Sequence, residues 1–98
     1  MTLPLALRIE ARNDFDAAFN WYEAQRTGLG VAFAGRVQEV LDRISSMPQL
    51  YPRVAEDVRR ANLRQFPYSI IYQIEADQVV VVAIVHGSRD PDLWRERL

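Results

Sequence analysis

Two runs dense in Ile, Val and Tyr, from Tyr68 to Glu75 and from Gln78 to His86, are separated only by Ala76-Asp77. Branched and flat side chains pack well on a pleated surface, and a two-residue polar link closes a hairpin, so this pair constrains the fold more than any other stretch. Upstream, Asp57 to Arg64 reads as another strand, set apart by Gln65-Phe66-Pro67, and the three form a meander. Placing Glu75 opposite Gln78 and counting outward with a period of two puts Tyr68, Ile70, Tyr72 and Ile74 beside Val79, Val81, Ala83 and Val85. That face is wholly apolar and needs a cover. The other face carries Ser69, Ile71, Gln73 and Glu75 beside Gln78, Val80, Val82, Ile84 and His86. The register that keeps arginine off the apolar face places Ala61 and Leu63 on it. Arg60, Asn62 and Arg64 then join His86 on the mixed face.

The N-terminal half supplies the cover. Leu3, Leu5, Leu7 and Ile9 alternate with Pro4, Ala6 and Arg8, the period of a half-buried strand, and Pro4 suits an edge position. Asn13 or Asp14 can cap a helix that carries Phe15, Ala18, Phe19 and Tyr22 at i, i+3, i+4 and i+7 and runs to about Arg26. Trp21 falls beside that stripe. Thr27-Gly28-Leu29-Gly30 ends the helix, with Gly28 as its left-handed cap. A second helix follows with Phe33, Val37, Val40, Leu41, Ile44 and Met47 on one stripe, stopping before Pro48. Gly35 within it suggests close packing against the first helix. Consecutive helices with a short link form an antiparallel hairpin, whose apolar stripes cover the Tyr68/Ile70/Tyr72 face. After the meander, Asp90-Pro91-Asp92 starts a short helical turn containing Leu93 and Trp94. The expected fold is α+β: an N-terminal strand, a helical hairpin, then a three-strand antiparallel meander (β-α-α-β-β-β), as one domain over residues 1–98.

Composition narrows the chemistry. The 98 residues contain no cysteine and one histidine, which excludes thiolate metal sites and the usual zinc ligand sets. Met1 to Ile9 is apolar but too short for a secretory core with its flanks, and no run approaches a membrane span, so a soluble cytoplasmic protein is expected. Twelve basic residues face 13 acidic ones, a net charge of −1, and every basic residue is arginine. The absence of lysine reads either as compositional bias or as retention of the planar, multi-donor guanidinium. Near-neutral charge disfavours generic nucleic-acid binding, which depends on neutralised phosphates. No acid or histidine is placed to activate Ser45 or Ser46 as a nucleophile.

Two candidate sites follow. His86 ends a strand near Arg89 and, in the register above, near Arg64; with Arg60 these groups offer proton transfer and anion stabilisation to a nuclease. Alternatively the mixed face is a protein interface. Ile71, Val80, Val82 and Ile84 would leave an apolar patch that either the Trp94 segment or another chain must cover, with Arg60, Asn62 and Arg64 as anchors for a partner's carboxylates.

The ordered set Phe15-x3-Phe19-x-Trp21-Tyr22-Glu23, Gly28-Leu29-Gly30-x2-Phe33, Ile44-x3-Pro48-x2-Tyr51-Pro52, Val58-Arg59-Arg60, Phe66-Pro67-Tyr68-Ser69-Ile70-Ile71-Tyr72 and His86-Gly87-Ser88-Arg89-Asp90-Pro91-x2-Trp94 spans nearly the whole chain. It resembles the RelE/ParE superfamily of toxins from type II toxin–antitoxin pairs, often described as plasmid-stabilisation modules. The resemblance implies a helical hairpin on an antiparallel sheet and a cognate antitoxin whose C-terminal part wraps the toxin. RelE-like members cleave mRNA on the ribosome without a metal. They use lysines early in the meander, an arginine directly after the tyrosine of the third strand, an arginine after the last strand and a late tyrosine. Here lysine is absent, Ser69 follows Tyr68, Trp94 stands near the late position, and Arg89 alone matches. A C-terminal histidine marks a further nuclease pattern, which His86 keeps open. These departures place the resemblance closest to the ParE-like branch, whose members inhibit DNA gyrase and block replication; mRNA cleavage is the alternative. No cofactor is implied.

Overall fold

The structure, a computed structural model, describes residues 2–89 and 91–98. Strand β1 (Leu5–Leu7) leads into helix α1 (Ile9–Gln25), and the chain turns back through helix α2 (Leu29–Ser46). Strands β2 (Val58–Asn62), β3 (Tyr68–Ile74) and β4 (Val79–His86) follow, then a 3-10 helix at Leu93–Arg97. The sheet order is β1-β4-β3-β2, with β2, β3 and β4 antiparallel and β1 parallel to β4 on the edge that Pro4 suggests. The α+β arrangement of strand, helical hairpin and meander is therefore the one read from the sequence, with a single parallel pair added. No described helix is long and apolar enough to cross a membrane.

The helical hairpin covers one sheet face. Ala18 and Tyr22 of α1 and Phe33, Val37, Val40, Leu41 and Ile44 of α2 bury against Ala61, Ile70, Tyr72, Val79 and Val81. Aromatic rings tie the hairpin to the start of β3: Phe33 meets Tyr68 at 5.3 Å, and Tyr22 meets Phe66 edge-on at 4.9 Å. Such tilted contacts between rings add to the burial itself. The link between helices is held by Glu23, whose carboxylate accepts the N–H groups of Gly28 and Gly30, both at 2.9 Å. Those amides open α2, so an acidic acceptor satisfies donors that the helix cannot. Gly28 takes the left-handed conformation (φ 91°) expected of it.

Several local expectations are corrected. Helix α1 starts at Ile9, not after Asn13 or Asp14, because the Arg8 backbone already closes its first turn and the Asp14 carboxylate is engaged elsewhere. The strand is shortened accordingly. Gly35 is exposed, with open space where a Cβ would stand; Gly30 is the close-packed glycine, since an added Cβ would lie 2.8 Å from the Phe19 carbonyl oxygen. Met47 lies past the end of α2 and is exposed. The role read for Asp90 lies outside the described residues, and Asp92 precedes the terminal 3-10 helix.

The largest correction concerns β4. Glu75 does face Gln78 across the turn, and the alternation holds through Tyr72 opposite Val81, but Ile71 then pairs with Ala83. Val82 is the extra residue of a bulge. Val82 keeps the outward face read for it, and beyond it each side chain changes face: Ile84 and His86 turn toward the helices with Tyr68 and Ile70, while Ala83 and Val85 turn away. The bulge lies where β1 has ended, so backbone groups of β4 lack a neighbouring strand. Other donors and acceptors take its place. Arg8 N–H donates to Val81 O (3.1 Å), Arg97 donates to Val82 O (3.1 Å), and Ile84 N–H donates to Asp14 (3.0 Å).

Tyr72 is buried beneath the hairpin and donates to Pro48 O at 2.6 Å. Burial pushes its hydroxyl up to about 12, with Arg59 opposing. The folded state therefore holds this proton more tightly than the unfolded chain, where tyrosine titrates at about pH 10. The stabilisation is complete below that pH and is lost as the pH rises toward about 12. Thermal melts across that range should show a falling Tm, and Tyr72→Phe should flatten the fall while costing about 1 kcal/mol at neutral pH. Gly30→Ala should destabilise by about 1–3 kcal/mol, because the atom it meets is backbone.

Candidate functional site

The start of β3 and the end of β4 meet under the C-terminal half of α1. Tyr68 pairs with His86, their rings crossing at 5.1 Å. Arg89 folds back from the following turn and donates to the Tyr68 hydroxyl at 2.7 Å. Two adjoining clefts, of about 340 and 350 Å³, share Trp21, Tyr68, His86 and Arg89 in their walls. Asp14, Ile84 and Leu93 extend the first, and Tyr22 and Pro67 extend the second. Trp21 stands edge-on to Tyr22 at 5.1 Å and keeps 54% of its surface exposed.

The protonation pattern follows from the turn. His86 Nδ1 accepts the N–H groups of Ser88 (3.1 Å) and Arg89 (3.2 Å). A neutral imidazole that accepts at Nδ1 carries its proton on Nε2, so the turn engages the lone pair and leaves the other ring nitrogen as a donor. Burial raises the Tyr22 hydroxyl above its ordinary value, Tyr68 adds to the rise and Arg89 opposes it, which keeps the hydroxyl neutral at physiological pH. Asp14 forms part of the floor, but its oxygens are committed to Arg97 at 2.6 and 3.0 Å and to Ile84 N–H. The set offers hydrogen-bond donors, one cation and aromatic surface.

Of the four groups read as a possible nuclease site, the fold brings together His86 and Arg89. Arg60 lies on the opposite face of the sheet, where it donates to Pro91 O at 2.9 Å. Arg64 is 67% exposed and reaches Glu39 on α2 at 3.3 Å. The expected apolar patch is filled from within the chain. Ile71 and Val82 pack with Val58, Ala83 and Val85 beneath Trp94, which is 1% exposed. Val80 is also buried, and the bulge carries Ile84 into the helix-side core. Asn62 accepts from Ser69 Oγ at 2.6 Å. The Trp94 segment, not another chain, thus closes the second face. Sequence reasoning missed the Asp14–Arg97 pair and the Tyr68–Arg89 contact; the off-stripe position of Trp21 was the one available hint of an aromatic wall.

Residues 5–91 match the model of the ParE toxin of the type II toxin–antitoxin system, parDE. The chain belongs to that family. Among solved structures, it is similar to the chromosomal ParDE toxin–antitoxin system from P. aeruginosa, with a TM-score of 0.76 and 18% identity over 87% of this chain and 96% of that one. It is also similar to a free arginine-to-alanine double variant of the E. coli toxin RelE, with a TM-score of 0.73 and 16% identity over 99% of this chain and 94% of that one. At such identities the likeness is one of fold. No curated protein matches the chain. Family membership implies an antitoxin partner.

Two substitutions test this assignment of the interior. Val82→Asp would bury an unpaired carboxylate under Trp94 and should unfold the chain by circular dichroism. Asp14→Ala leaves Arg97 without its carboxylate and Ile84 N–H without its acceptor, and should cost about 3 kcal/mol in denaturant unfolding.

Proposed function

We propose that this ParE-family chain is the growth-inhibiting half of a toxin–antitoxin pair, that it acts in the cytoplasm by binding DNA gyrase and blocking replication, and that a cognate antitoxin silences it. The observation that carries this reading is the divergence of the cationic groups. Cleavage of RNA without a metal requires a base, an acid and cations converging on one phosphate. Here Arg60 and Arg64 point to different sides of the molecule, and the His86 lone pair is held by the turn that follows it. A net charge of −1 likewise suits a protein target better than a polyphosphate. RelE-like mRNA cleavage is the competing reading, favoured by the shared fold and by Arg89 in the turn after β4.

Induction without the antitoxin, with DNA and protein synthesis followed by pulse labelling in one culture, separates the two. DNA synthesis should stop first, with filamentous cells, and the purified chain should inhibit gyrase supercoiling in vitro. An early halt in translation with cleaved mRNA, and unaffected supercoiling, would instead establish the ribonuclease.

A further inference from the structure

Trp21 lies off the packed stripe of α1 and is more than half exposed, yet it is not loose, because its ring is braced edge-on against the buried Tyr22. A braced aromatic wall supplies contact area at little entropic cost. Facing it across the joined clefts are Arg89, oriented by Tyr68, and His86, whose Nε2–H is a donor because Nδ1 is engaged. Asp14 does not oppose an incoming anion, since Arg97 neutralises it with two hydrogen bonds. Among the described residues that line the clefts, Arg89 is the one arginine. One guanidinium with an adjacent N–H donor matches one carboxylate, whereas a polynucleotide would find a partner for a single phosphate.

We propose that the cleft between Trp21 and Arg89 is the docking site for an acidic segment of the cognate antitoxin. An apolar side chain of that segment lies on the Trp21 indole, and a neighbouring carboxylate accepts from Arg89 and from His86 Nε2–H. The pattern is that of an interface anchor, a desolvated ring beside a charge-assisted hydrogen bond. The segment is assigned to the antitoxin because that partner follows from family membership. This inference rests on the antitoxin half of the proposed function and is independent of gyrase, so a failed supercoiling assay leaves it standing.

The chain has two tryptophans, one at the cleft and one in the core, which makes the test direct. With the full chain labelled with 5-fluorotryptophan, titration of purified antitoxin should move the Trp21 fluorine resonance. Arg89→Glu should weaken binding about 10- to 100-fold, and Arg89→Lys, which keeps the charge but not the fork, should weaken it several-fold less than Arg89→Glu does. Arg43→Ala, at the Tyr51 end of α2, should bind normally. A Trp21 resonance unmoved at saturation, or Arg89→Glu binding as tightly as the original chain, would overturn the proposal. So would a shift of Trp21 by adenosine monophosphate at submillimolar concentration, which would make this a nucleotide cleft. If Arg89→Glu does not fold, the Trp21 resonance of the unsubstituted chain decides the matter.

Discussion

The pairing of Asp14 with Arg97 at the bulge of β4 is the constraint on which the rest of the structure depends. β4 is apolar along almost its whole length and lies between two strands, so both its faces must be covered by this small chain. The helical hairpin covers one face. The second is left to a five-residue 3-10 helix, too short to hold itself in place. Arg97 anchors it, with donors to both Asp14 oxygens and to Val82 O, while Arg8 reaches the Arg97 carbonyl at 2.6 Å. The same aspartate holds Ile84 N–H in the bulged register. One carboxylate therefore fixes both the face that each later β4 side chain takes and the lid that covers the residues turned outward.

The cleft is a consequence of that register. Without the bulge, His86 would project onto the side occupied by Val85 and Trp94; with it, His86 lies beside Tyr68 and α1. Rings of Tyr22 and Phe33 then grip Tyr68 from the helical side, and Arg89 donates to its hydroxyl. Aromatic packing and a charged hydrogen bond thus set the geometry of one small region. A site resting on a sheet end and a packed helix is held more firmly than one on a free loop.

The exclusive use of arginine acquires a structural meaning. Arg8, Arg59, Arg60 and Arg97 each donate to a backbone carbonyl remote in sequence, at Arg97, Tyr51, Pro91 and Val82 respectively. A planar fork can serve carbonyls and a carboxylate together, as Arg97 does, which a lysine ammonium does less well. These four of the twelve arginines are therefore joints of the fold. This dispersal, together with family membership, underlies the preference for a protein target.

The amino-acid sequence by itself determined the elements, their order and the helix-covered core, because periods of two and of 3.6 are local properties of the chain. Ala61, Leu63, Phe33, Val37 and Ile44 lie where that periodicity puts them. The ordered motifs carried the family as well. What only the tertiary structure decided follows from contacts between residues far apart. A bulge adds one residue to one strand without changing the pattern of apolar letters, so the run Val79 to Val85 could not reveal that Ala83 and Ile84 exchange faces. Asp14 looked like a helix cap because its partner, Arg97, stands 83 positions away. The apolar patch, which the sequence left to either the Trp94 segment or another chain, became core for the same reason: Trp94 covers it where Arg97 is held by Asp14, and those two residues meet only in the folded chain.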